Sequence, residues 1–272
     1  EKTSPIIYVE SFYKDVKEGR PIAGVMEEIA GLVKSSHTAG RITEGIHMED
    51  FQYVKPYLKI ALVNTNANCR KLSHMPHMEM EDLSMICQVA VPLPDGMRTM
   101  QVTDDVLKGW KISKEALFDT AMKNTEKSDS YIMRRMSDIL EEIMPGSTDS
   151  RKPDDVMEAD ASDPDDRMYV LTNRDKAWGA SAMLCPSMME HASRIFPKGF
   201  YILPSSVHEV LLVQKDGVAS AQGLGQLVRD VNETMEDKTE ILSGCIYEYD
   251  KNCGKIRQVP ESVEKEMRGM ER

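Results

Sequence analysis

The sequence predicts an α+β protein with a mostly antiparallel sheet, helices packed on one face of it and a helical middle segment. Three observations carry that expectation. A hairpin pattern is legible in Leu83 to Val91, the turn residues Pro92-Leu93-Pro94-Asp95-Gly96 and the returning run Met97 to Val102. Apolar residues at spacings of three and four mark amphipathic helices elsewhere in the chain. In the last third, hairpins alternate with helices, which favours an antiparallel sheet over the regular βαβ order of a parallel one.

Taken in order, Ile6-Ile7-Tyr8-Val9 is a short β-prone run, and Phe12 and Val16 before Gly19 give one or two helical turns. Pro21 opens a helix with Ile22, Val25, Met26, Ile29, Leu32 and Val33 on one face, with Ser35-Ser36 following its last turn. Tyr57 to Val63 is apolar and is read as a strand. Thr103 caps a short helix ending near Gly109, and Ser113 caps a second one carrying Ala116, Leu117, Thr120 and Ala121. Ile132, Met133, Met136, Ile139, Leu140 and Ile143 form a helical stripe that stops at Pro145-Gly146. Strands follow at Met168 to Leu171 and Ala180 to Leu184, then a helix from Pro186 to Phe196. Further strands are expected at Phe200 to Leu203, Glu209 to Gln214, Cys245 to Tyr249 and Lys255 to Val259, with a helix from Leu224 to Met235.

Three regions result. Residues 1–146 form an N-terminal α+β region and residues 168–272 a C-terminal one. Between them, 147–167 is rich in Asp around two prolines and has few apolar residues, so it reads as a linker or loop. The 272 residues are 41% hydrophobic and 29% charged, which is average for a globular chain and excludes a wholly disordered one. A net charge of −11 leaves little basic surface for a phosphate backbone, so no nucleic-acid partner is expected. Cys69, Cys87, Cys185, Cys245 and Cys253 have no framework spacing, which suits a reducing, cytoplasmic setting. No apolar run is long enough to span a bilayer, so no membrane association is expected. Glu1-Lys2-Thr3-Ser4-Pro5 is neither a signal peptide nor a natural start, and the chain is expected to continue a longer protein.

Three runs resemble a known family. They are Met75-Pro76-His77-Met78-Glu79-Met80-Glu81-Asp82-Leu83, Met168-Tyr169-Val170-Leu171-Thr172-Asn173 with Gly179-Ala180, and Ile202-Leu203-Pro204-Ser205-Ser206-Val207-His208-Glu209-Val210-Leu211-Leu212-Val213. The family is an uncharacterised domain of unknown function of gut Firmicutes, and the likeness covers nearly the whole chain. It implies a bacterial, intracellular protein and supplies no activity or catalytic residue.

The residues themselves offer two candidate chemistries. Ser205, Ser206 and His208 place hydroxyls and an imidazole in one turn, with His77, Glu79 and Asp82 as further groups that a small hydrolase could use. Adjacent strand residues point to opposite faces, so the plainer reading is a turn whose hydroxyls bind local backbone. Cys69, His74, His77 and Cys87 could hold a soft metal, although their spacing matches no standard zinc pattern. Met183, Met188 and Met189, among 20 methionines, could line a partner surface or fill the core. Gly223-Leu224-Gly225 lacks a third glycine and a parallel βαβ setting, so no dinucleotide or other cofactor is expected. A non-enzymatic interaction or regulatory protein with a protein partner is the function expected first. A Ser/His hydrolase comes second and a soft-metal protein third.

Overall fold

The structure is a computed structural model that describes residues 17, 20–39, 47–93, 96–127, 131–143, 167–174, 177–215 and 220–260. The expected strand at Ile6 to Val9, the turns at Phe12 and Val16, the hairpin-tip residues 94–95 and the acidic segment 147–166 lie outside them. The chain divides into two compact units, Glu1–Asp50 and Phe51–Arg272. In the first, Pro21 precedes helix α1 (Ile22–Ala39), where its fixed φ suits the opening turn. The helix runs through Ser35-Ser36 instead of ending before them. Val25 is buried, whereas Ile22 and Met26 of the expected apolar stripe are exposed.

The second unit begins with α2 (Phe51–Val54) and a 3-10 turn at Lys55–Tyr57 that feeds β1 (Leu58–Asn64). After α3 (Cys69–Leu72) come β2 (His77–Met80), β3 (Leu83–Leu93) and β4 (Gly96–Gln101). All pairings are antiparallel, with β3 in the centre, β1 along one side of it, and β2 and β4 along the other. The hairpin and the strand at residues 57–63 thus form as their turn chemistry and apolar runs predict.

Helices α4 (Asp104–Trp110) and α5 (Lys114–Thr125) start where their caps were expected. Thr103 accepts a hydrogen bond from Val106 N–H and Ser113 one from Ala116 N–H, each cap contributing about 1 kcal/mol. The end of α5 covers the outer edge of β1. Ile60 N–H donates to Thr125 Oγ1 at 2.9 Å, and Asn124 Nδ2 donates to the Leu58 carbonyl at 2.9 Å.

The expected helix over 132–143 is divided. Tyr131–Arg135 is strand β5, and only Met136–Ile143 is helix α6. Tyr131 and Met133 are buried while Ile132 and Arg134 are less so, the alternation of a strand whose register with β6 runs from Tyr131 opposite Asn173 to Arg135 opposite Tyr169. Strand β6 (Met168–Asn173) is followed by a 3-10 helix at Gly179–Leu184 where a strand was expected. Then come α7 (Pro186–Ile195), β7 (Phe200–Ser206), β8 (Glu209–Gln214), α8 (Ala221–Thr234), a 3-10 turn at Lys238–Glu240, β9 (Tyr247–Asp250) and β10 (Lys255–Gln258). The second sheet has six strands in the order β10-β9-β7-β8-β6-β5, all antiparallel.

The α+β class with antiparallel sheets and packed helices therefore holds. Alternation along β7 distributes the cover: Ile202 packs into a core with Met188 and Met189 of α7, and Leu203 into a second cluster with Leu224 and Val228 of α8. The larger core also takes Leu62 and Leu83 from the first sheet, so residues on both sides of segment 147–167 contribute to it. Each such large side chain contributes roughly 2 kcal/mol on burial. Met183, Met188 and Met189 are core residues, not a partner surface. Among the described residues, no helix is long and apolar enough to cross a membrane.

Candidate functional site

Strands β7 and β8 meet at Val207-His208, after a shift in register between Pro204 and Ser206. Ser206 Oγ accepts from the His208 backbone N–H at 3.0 Å, and Ser205 Oγ donates to Glu209 Oε1 at 3.4 Å. Both hydroxyls thus serve the turn. The His208 ring is held from two sides: Nδ1 accepts from the Trp178 backbone N–H at 3.1 Å, and Nε2 faces Glu240 Oε1 at 3.4 Å. A backbone N–H can only donate, so in the neutral tautomer the ring proton is on Nε2, on the side of the Glu240 carboxylate. No lone pair is left to take a proton from serine. Ser205, Ser206 and His208 are neighbours without being a nucleophile and its base.

The loop that supplies Trp178 N–H is pinned by its own residues. Asn173 donates through Nδ2 to the Ala177 carbonyl at 2.7 Å and accepts Ala177 N–H on Oδ1 at 3.1 Å. Trp178 adopts the left-handed region with φ 57°. Gly179 then passes so close to β6 and the His208 turn that a Cβ there would lie 2.3 Å from Thr172 Oγ1 and 2.4 Å from the His208 carbonyl oxygen. That carbonyl accepts from Thr172 Oγ1 at 2.7 Å, and Ala180 N–H donates to the Val207 carbonyl at 3.2 Å. The Thr172-Asn173, Gly179-Ala180 and Ser205 to Glu209 runs are therefore one interlocked wall.

His77 lies on β2 and bonds through Nδ1 to the Met75 carbonyl at 2.9 Å. Among the described residues no hydrogen bond joins it to Ser205, Ser206 or His208. Asp82, considered above as a partner of His208, instead accepts from Ser243 Oγ at 2.6 Å and from the Tyr247 hydroxyl, tying the two sheets together. Burial, and then the Asp82 carboxylate at its hydroxyl, push the Tyr247 phenol well above its ordinary range. Cys69 and His74 are exposed, while Cys87 is buried in β3, where burial pushes its thiol up to about 12 and keeps it protonated. Among the described residues no three His, Cys, Asp or Glu side chains are grouped to hold a metal.

What the structure does form is a narrow crevice between the two sheets, open to solvent, with a cavity volume of about 30 Å³. Lys59, Gln88, Ala90 and Thr99 line it from the first sheet, and Tyr131, Asn173, Trp178 and Ser181 from the opposite side. Register places Gln88 between Lys59 on β1 and Gln101 on β4. Most polar lining groups have partners: Ser181 Oγ donates to the Trp178 carbonyl at 3.1 Å, and the Tyr131 hydroxyl bonds Ser181 and Thr125. Burial raises the Tyr131 phenol above its usual range, so it stays neutral. Gln88 differs. It is 4% exposed, and among the described residues its amide has no hydrogen-bond partner.

The model of a family of unknown function, DUF5688, matches residues 1–251. The chain belongs to this family. No curated protein and no solved structure matches it. In this DUF5688 chain the distinctive Leu203 to Glu209 run lies behind the crevice, where His208 holds the backbone of the lining residue Trp178. Sequence reasoning about this DUF5688 chain passed over Gln88, although a lone amide inside the apolar run Ile86 to Val91 is a visible signal.

Proposed function

We propose that the chain is a non-enzymatic interaction or regulatory protein of the bacterial cytoplasm, whose outer surface meets a protein partner. The observation that carries this reading is the double engagement of His208, whose ring nitrogens are spent on Trp178 N–H and Glu240. The wall is built to hold a shape, and it leaves the hydroxyls of Ser205 and Ser206 without a base. A net charge of −11 favours a protein over a nucleic acid as the macromolecular partner. The absence of a catalytic base is tested with p-nitrophenyl acetate, p-nitrophenyl phosphate and a peptide anilide, comparing wild type with His208→Gln. The expected result is equal, background-level turnover for both. Turnover by the wild type that the substitution abolishes, in a variant with unchanged circular dichroism, would replace this reading with a Ser/His hydrolase.

A further inference from the structure

Between about pH 5 and 8 the imidazole is the side chain that ordinarily gains or loses a proton, and one bond of the interlocked wall depends on an imidazole. The Trp178 backbone N–H donates to the lone pair of His208 Nδ1 at 3.1 Å. A proton taken up on Nδ1 occupies that same lone pair, so the proton and the peptide compete for one acceptor. The His208 side chain is 33% exposed, and solvent protons reach it. Nε2 carries its hydrogen in both states, and a charge on the ring strengthens its contact with the Glu240 carboxylate, 3.4 Å away. Acid therefore removes the bond to Trp178 and keeps the one to Glu240.

The other bonds of this loop do not titrate in that range. Asn173 pairs with both backbone groups of Ala177, and Ser181 Oγ donates to the Trp178 carbonyl. Thr172 Oγ1 donates to the His208 carbonyl, and Ala180 N–H to the Val207 carbonyl. Of the charged residues on the elements packed against His208, Glu240 faces the ring. Glu209 accepts from Ser205 Oγ, Asp237 accepts from Thr239, Lys238 Nζ donates to the Asn232 and Glu233 carbonyls, and Arg174 is exposed. Trp178 is also where a lost bond has leverage. A non-glycine residue at φ 57° is held there by its surroundings. Its side chain packs against both the larger core and the cluster of Ala61, Val63 and Ile86 in the first sheet.

We propose that His208 is a pH-sensitive latch: a proton on Nδ1 detaches the Trp178 peptide from the ring, while the remaining bonds keep the loop fastened on either side. The latch goes beyond the binding function proposed above and does not depend on it. It gives the wall a regulatory use, because the detached residue is one that packs against clusters of both sheets.

Hydrogen exchange of the assigned backbone amides of the full chain, at about pH 7.5 and about pH 5, tests the latch, with the charge of the His208 ring followed by its Cε1–H resonance. Protection factors, in which the intrinsic effect of pH on exchange is divided out, are compared at three amides. The expected result is that Trp178 N–H loses at least about tenfold in protection as the ring becomes charged, while Ala177 and Ala180 change by less than about twofold. His208→Asn places an amide oxygen where Nδ1 stands, an acceptor that does not titrate, and should hold the Trp178 protection equal at both pH values. Persistence of the pH dependence in that variant assigns it to another group and overturns the latch. Equal protection of Trp178 in the wild type, with the ring charged at the lower pH, overturns it as well. So does an equal loss at Trp178, Ala177 and Ala180, which is a general loosening of the wall, and so does a ring that stays neutral at about pH 5. The comparison of the three amides within the wild-type chain decides the matter even if the variant does not fold.

Discussion

The two sides of the crevice are built on opposite principles. On the His208 side nearly every polar group is answered within the protein: the Trp178 N–H by His208 Nδ1, the His208 carbonyl by Thr172, and the Ala177 amide by Asn173. On the Gln88 side a nearly buried carboxamide is left open. The side rich in residues that resemble a catalytic cluster is the scaffold, and the side that reads as plain strand holds the amide whose bonding capacity is unspent. Reactive residue types mark a site only when their bonding capacity is unspent.

This contrast can be broken by substitution, beginning with the largest effect. Gly179→Ala places a methyl group against Thr172 Oγ1 and the His208 carbonyl, and overpacking of that kind should cost about 3 kcal/mol. Chemical denaturation would measure the loss, and an unchanged midpoint would show that the wall yields easily. Next is Asp82→Ala, which leaves the buried Tyr247 hydroxyl without its acceptor, at an expected cost of about 2 kcal/mol. If the loss is negligible, the bond between the sheets is ornamental and the wall stands by apolar packing alone.

The smallest effect concerns pH. Burial, followed by the charge of Arg194, lowers the His191 pKa below its ordinary value. A folded-state value below the unfolded one means that the unfolded chain takes up the proton more readily, so this contribution to stability is complete above the unfolded pKa and is lost as pH falls below it. The urea midpoint should be lower at about pH 5.5 than at about pH 7.5, and His191→Gln should flatten that slope. An equal slope in both proteins would assign the pH dependence to other groups.

Local chemistry made much of the fold legible in the sequence. Thr103 and Ser113 cap the helices they precede, and β3 pairs with β4 as far as Leu93 opposite Gly96, because each of these depends on neighbours in the chain. The failures have a common cause. Ile132, Met133 and Met136 satisfy a helical spacing by coincidence, and pairing of Tyr131–Arg135 with a distant strand overrides it. Ala180 to Leu184 is too short for periodicity to decide, and its 3-10 form follows from the close approach of Gly179 to Thr172 and His208. At the site, the hydroxyls and imidazole of Ser205 to His208 were visible, but their hydrogen-bond partners on Trp178 and Glu240 were not. Gln88 could be seen as an oddity in an apolar run. Its exposure to a crevice lined by Tyr131 and Trp178 depends on the packing of one sheet against another.

Asp82 and Tyr247 are 165 residues apart in the chain, yet they share one hydrogen bond. During synthesis the first sheet leaves the ribosome with that carboxylate facing a place its partner has not reached. Loop closure on this scale is slow, and the intermediate it leaves exposes the apolar residues that α7 and β7 later cover. A nascent chain stalled before α7 would therefore be open to proteases, and the later arrival of Tyr247 would add the bond that ties the two sheets together.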